Sequence, residues 1–175
     1  TRAVRQGGIC YLDELIEARK DDTVVLQPIT DKRRTLINYS NGETLVAPSD
    51  IKLISTYNTA YQNVLKRMKP STRQRFLALT FDFPEPDLET AVVAQETGLD
   101  ARRAGHLVRL GGHIRALSGM DLEEGVSTRL LIYAATLIAG GMAVPQAIET
   151  AIIEPLSDDA YVQDALRDLV ATIYG

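Results

Sequence analysis

An apolar run, Ile9-Cys10-Tyr11-Leu12, ends on two adjacent carboxylates, Asp13 and Glu14. In open parallel sheets, ligands gather beyond the carboxyl ends of the strands. A strand ending in Asp-Glu therefore offers one acid to a magnesium ion and a second to polarise a water. Magnesium takes only a carboxylate or two, together with phosphates and waters. The same pair equally suits the opening of a helix over Leu15–Lys20, since acids are stabilised at a helix amino terminus. A second apolar run, "IKLIST", is followed by Tyr57 and Asn58. An Asn there can hold a water or a terminal phosphate, having both donor and acceptor, or it can simply close a turn.

Cations complete the set. "KPSTRQRF" carries Arg73 and Arg75, guanidinium groups able to stabilise charge on a phosphoryl group in transfer. Arginines of this kind more often make surface ion pairs of small energetic value. Arg129 breaks a local rule. In "GVSTRLLIYAATLIAGG", Ser127 or Thr128 caps a helix, which puts a cation in the first turn, where the helix dipole disfavours it. A phosphate lying at that turn would make the penalty a binding site. His106 and His113, seven apart without an acidic or thiol partner at ligand spacing, read as surface or packing residues. Cys10, in a strand expected to be buried, reads as inert.

These residues need a scaffold. Up to about Pro84 the pattern mixes strands and helices, with strands expected at Gly8–Leu12, Thr35–Tyr39, Thr44–Ala47, Lys52–Thr56 and Phe76–Phe83. Asn41-Gly42 predicts a hairpin between the second and third, because a tight turn there demands positive φ. "FDFPEPDLE" marks a boundary, with Asp87 a candidate cap for the next helix. Helices are expected at Asp87–Glu96, Ala101–Leu117, Thr128–Ala139, Pro145–Glu154 and Asp159–Ile173. Leu107, Leu110, Ile114 and Leu117 recur at helical spacing and predict one apolar stripe.

Bulk properties narrow the function. The chain has 175 residues, 45% hydrophobic and 24% charged, with net charge -4, which suits a globular chain with a sizeable core. That acidity argues against nucleic-acid binding through bulk charge. One cysteine excludes an internal disulfide and a thiolate-zinc cluster, and makes reducing cytosol the natural setting. The longest apolar stretch, Leu130 to Val144, falls short of the roughly 20 residues a membrane helix needs. No signal peptide is visible. The sequence opens on Thr1 rather than Met, so the natural start is expected elsewhere.

The order of these features resembles the AAA+ ATPases of the MoxR group. "YLDELIEAR", "KPSTRQRF" and "LEEGVSTRLLIYA" resemble its CbbQ/NorQ/NirQ branch in particular, and the likeness spans nearly the whole chain. It implies α/β followed by all-α: residues 1–84 as the second half of a P-loop NTPase core, and 85–175 as a helical lid. By this resemblance Asp13 and Glu14 fill the Walker B positions, for magnesium coordination and water polarisation. Asn58 fills the first sensor, Arg75 (with Arg73 as alternate) the arginine finger, and Arg129 the second sensor. The hairpin around Asn41-Gly42 is similar to the pre-sensor hairpin, an element for moving a client.

The resemblance further implies ATP and magnesium as cofactors, a hexameric ring, and an adapter with a von Willebrand factor A domain, similar to CbbO or NorD. Its clients are metalloenzymes: Rubisco, towards which the reading leans, or a nitric oxide or nitrite reductase. It implies a cytoplasmic setting and leaves carboxysome association open. One departure matters. The phosphate loop G-x-x-x-x-G-K-[ST] occurs nowhere in this chain, so a fragment is expected, inactive on its own because no backbone cradle or lysine holds the phosphates. A non-catalytic assembly module of the same shape, and an unrelated metal-dependent hydrolase using Asp13 and Glu14, are the competing readings.

Overall fold

The computed structural model describes residues 2–15, 26–58, 70–117, 122 and 125–174. The chain divides into two compact units, residues 1–80 and 81–175. In the first, α1 (Arg2–Gln6) leads into β1 (Ile9–Leu12), followed by β2 (Thr35–Asn38), β3 (Glu43–Val46), β4 (Lys52–Ser55) and the short α2 (Pro70–Arg73). β1 and β4 pair in parallel, from Ile9 opposite Lys52 to Leu12 opposite Ser55. β2 and β3 form an antiparallel hairpin, from Thr35 opposite Val46 to Asn38 opposite Glu43. A small core of Val4, Ile29, Leu45 and Ala47 lies behind the hairpin.

The hairpin turn differs from the tight Asn-Gly turn expected. Its loop runs over four residues, Tyr39 to Gly42, and only Gly42 is left-handed, at φ +72°. The Gly42 N–H donates to the Asn38 carbonyl at 2.8 Å, and the Asn38 side chain accepts from the Ser40 N–H and hydroxyl. Asn41 acts through its side chain, accepting from the Glu43 N–H at 3.0 Å.

Two further expectations are corrected. β1 and β4 are not buried strands: Ile9 is 67% and Tyr11 56% exposed, and Cys10 is only half-buried. A parallel pair is normally covered on both faces; among the described residues nothing covers the face holding Ile9 and Tyr11. Residues 76–83 form no strand, and Leu77, Leu79 and Phe81 are almost fully exposed. Alternating apolar residues make a strand only where a neighbouring chain accepts its hydrogen bonds, and among the described residues the two sheets contain no such neighbour.

The second unit is helical: α3 (Pro86–Thr97), α4 (Ala101–Leu117), α5 (Thr128–Ala139), α6 (Val144–Ile148) and α7 (Ala160–Tyr174). α3 starts with Pro86 in its first turn, one residue before the Asp87 expected to cap it. Proline suits that place because the N–H it lacks would have no helical partner. α3 stops at left-handed Gly98, whose N–H returns to the Ala94 carbonyl. The Asp100 carboxylate starts α4 by accepting the Arg103 N–H at 3.0 Å. Leu107, Leu110 and Ile114 are fully buried, whereas Leu117, at the helix end, is 41% exposed and leaves the stripe. Burying each such side chain contributes about 1.5–3 kcal/mol.

Gly111 lets α4 and α5 approach closely, since a Cβ there would stand 3.1 Å from Leu131 Cδ1. α6 continues into a π-helical turn (Glu149–Ile153) and a last helical turn (Glu154–Leu156). Leu131, Ile148, Ile152, Ile153 and Leu166 fill the rest of this core.

Candidate functional site

The parallel register of β1 and β4 brings their carboxyl ends level, so Asp13–Glu14 and Thr56–Asn58 leave the same edge of the sheet. Backbone bonds continue beyond the strands: the Thr56 N–H donates to the Leu12 carbonyl, and the Leu15 N–H to the Thr56 carbonyl, both at 3.1 Å. Thr56 also fixes the acids. Its hydroxyl donates to Asp13 Oδ1 at 2.5 Å and accepts from the Glu14 N–H at 3.2 Å. The Tyr11 hydroxyl donates to the same Asp13 oxygen at 2.8 Å. Hydrogen bonds from Thr56 and then Tyr11 hold the Asp13 carboxyl below the ordinary carboxylate range. Asp13 is thus an exposed, oriented anion.

Glu14 adopts φ +47°, a left-handed conformation uncommon for a residue with a side chain. Such strain persists only where neighbours enforce it, and it gathers at functional sites. Here Thr56 does the enforcing, through the backbone bonds on either side. Thr56 and Tyr11 are the members sequence reading missed. A hydroxyl at the end of the second strand was the available signal, but only the register shows which acid it meets.

The donor set fits magnesium. An exposed, ionised Asp13 is the kind of single carboxylate around which water and phosphate oxygens complete an octahedral shell. Among the described residues, no cluster of three or more His, Cys, Asp or Glu could hold a metal by itself. Asn58 is exposed just past Thr56.

Arg73 ends α2 and is exposed. Arg75, also exposed, donates from Nη1 to the Ser71 carbonyl. Its charge reaches Asp31, whose carboxyl is held down to about 2, first by hydrogen bonds from the Arg33 guanidinium and N–H and then by the charges of Arg33 and Arg75. Among the described residues, no hydrogen bond or ion pair joins Arg73 or Arg75 to Asp13 or Glu14.

In the second unit, the Ser127 side chain accepts the Leu130 N–H and caps α5, with no acid in the first turn. Arg129 stands exposed in that turn. Close by is a network the sequence did not reveal. Glu89, only 1% exposed, takes a two-pronged ion pair from Arg115, both contacts at 2.7 Å, and a hydrogen bond from the Thr128 hydroxyl at 2.6 Å. Burial pushes the Glu89 carboxyl up, and the hydrogen bonds from Arg115 and Thr128 more than reverse it. His106 packs edge-on against Tyr174, and His113 is exposed, in keeping with surface and packing roles. No described helix is long and apolar enough to cross a membrane.

Residues 89–173 match the family described as CbbQ/NirQ/NorQ C-terminal, and residues 1–76 match the AAA domain of the dynein-related subfamily. The chain is 60% identical to Protein NorQ of Paracoccus denitrificans (strain Pd 1222), covering 100% of this chain and 65% of that protein. It is 51% identical to the denitrification regulatory protein NirQ of Stutzerimonas stutzeri, over 100% of this chain and 64% of that one. Protein CbbQ of Hydrogenophilus thermoluteolus is 47% identical, over 99% of this chain and 65% of its own length. The chain therefore spans just under two thirds of the length of each of these relatives.

Proposed function

Since the chain belongs to the CbbQ/NirQ/NorQ family of AAA domains, we propose that it supplies the water-activating part of an ATPase core and its helical lid. Residues 1–84 are the core portion and 85–175 the lid. In the full-length protein, Asp13 would hold magnesium, which would supply positive charge against the ATP phosphates. Glu14 takes up the proton of the attacking water, its side chain aimed by the left-handed backbone that Thr56 holds. Asn58 hydrogen-bonds that water or the terminal phosphate. Arg75, with Arg73 as alternate, reaches the nucleotide of a neighbouring subunit and stabilises charge as the phosphoryl group leaves. Arg129 meets phosphate from the lid.

The observation that carries this reading is the level exit of β1 and β4, which sets two acids, a hydroxyl and an amide at one sheet edge. A site shared between subunits requires a ring, for which we propose a hexamer. Hydrolysis turns lid against core, and an adapter with a von Willebrand factor A domain passes the motion to a metalloenzyme client. The sequence alone inclined that client towards Rubisco. Identity of 60% with a NorQ, against 47% with a CbbQ, favours a denitrification reductase.

Glu14→Gln tests the reading. It keeps size and hydrogen bonding while removing the base, so ATP turnover by the full-length protein should fall at least about a hundredfold with nucleotide still bound. Turnover at the wild-type rate would refute the assignment.

A further inference from the structure

Three helices of the second unit meet at one carboxylate. Glu89 comes from α3, Arg115 from α4 and Thr128 from the first turn of α5. Besides its two bonds to Glu89, Arg115 donates from Nε to the Val126 carbonyl at 2.8 Å. The face of its guanidinium lies over the Phe83 ring, 3.8 Å from the centroid. Gly125 closes in from another side, where a Cβ would stand 3.1 Å from Arg115 Cγ. The guanidinium is thus held by all three of its nitrogens along the edge and by an aromatic ring on one face.

Stability alone does not call for this arrangement. Burying two charges carries a desolvation cost that apolar residues of similar volume avoid. What a two-pronged pair adds is direction, because the planar fork accepts its partner in one geometry. The parts it directs are specific. The Val126 carbonyl and the Thr128 hydroxyl bracket Ser127, the cap of α5, and immediately precede Arg129. The chain is thus held on both sides of the cap, by the Val126 carbonyl and by the Thr128 hydroxyl, immediately before Arg129.

We propose that Glu89, Arg115 and Thr128 are positioning residues for Arg129, holding the α5 amino terminus so that its guanidinium is presented to a phosphate group of the bound nucleotide. This rests on the reading of Arg129 as a phosphate contact. None of the three touches the nucleotide; they act through the backbone at 126–128.

The test measures affinity of the full-length protein for a non-hydrolysable ATP analogue, with thermal unfolding followed in parallel. Arg129→Ala should weaken binding about tenfold, the scale of one charge-assisted contact. Thr128→Val, which removes one hydroxyl bond and keeps the volume, should weaken it about fivefold well below the unfolding temperature, while Thr128→Ser restores it. Arg115→Lys keeps the charge but loses the fork, and should weaken binding in the same direction even if Thr128→Val does not fold. If Arg129→Ala leaves affinity unchanged, the phosphate reading falls and the proposal with it. If Arg129→Ala weakens binding but Thr128→Val and Arg115→Lys only lower the unfolding temperature, the network is structural and the positioning role is overturned.

Discussion

Asp13 and Glu89 are both acids held below their ordinary range, and they are held in opposite ways. Asp13 is exposed and receives hydrogen bonds from two neutral hydroxyls, those of Thr56 and Tyr11. Glu89 is buried and receives a guanidinium as well as a hydroxyl. Neutral donors favour the charged form without cancelling it, so the negative charge of Asp13 stays available to a cation from outside. The Arg115 charge is matched to Glu89 on the spot, so the pair presents little net charge to a ligand. One acid keeps its charge open to solvent, and the other has its charge matched inside the fold.

The contrast can be broken most directly at Glu89. Glu89→Ala leaves a buried guanidinium uncompensated and should cost about 3–5 kcal/mol, read from denaturant unfolding of the second unit. Pairing Glu89→Leu with Arg115→Met should recover most of that loss, because both charges leave together. A loss below about 1 kcal/mol for the single variant would place Glu89 among ordinary surface pairs.

Acid provides a gentler probe. Burial raises the Glu89 carboxyl, and the bonds from Arg115 and Thr128 bring it to a net value below that of a free glutamate. Its contribution is therefore complete above the ordinary value near about 4.3, and is lost as pH falls through the lower folded value. The wild-type unfolding midpoint should drop on acidification below about pH 4 more steeply than that of the double variant. Parallel curves would remove Glu89 as the cause. The smallest effect is at the other acid. Thr56→Val takes away the strongest of the bonds to Asp13, so its carboxyl should titrate higher in an NMR-monitored titration. An unmoved titration would leave Tyr11 as the group that sets Asp13.

Local patterns carried much of the fold. α4 and α5 were legible to the residue, because apolar spacing and a capping Ser127 are encoded within a few positions. β1 and β4 could be placed from their apolar runs, and Asp13 and Glu14 from where the first run stops. What failed to show was non-local. Alternation at 76–83 predicted a strand, but pairing depends on a partner that alternation does not name. Glu89 and Arg115 are 26 residues apart on different helices, a spacing with no periodic signature. Asn41-Gly42 announced a turn correctly, yet the Asn38 side chain settled its length.

The wide turn over Glu149–Ile153 has a consequence for side-chain direction. In an ordinary α-helix, three consecutive residues fan through about 200° and cannot all face one neighbour. Here Ala151, Ile152 and Ile153 are all buried in succession. A turn that holds one extra residue therefore widens the inward-facing sector of the helix, and whatever follows is rotated relative to what precedes by about 100°. The direction of the last turn, Glu154–Leu156, is thus set by a surplus residue absorbed within the helix before the chain leaves for α7.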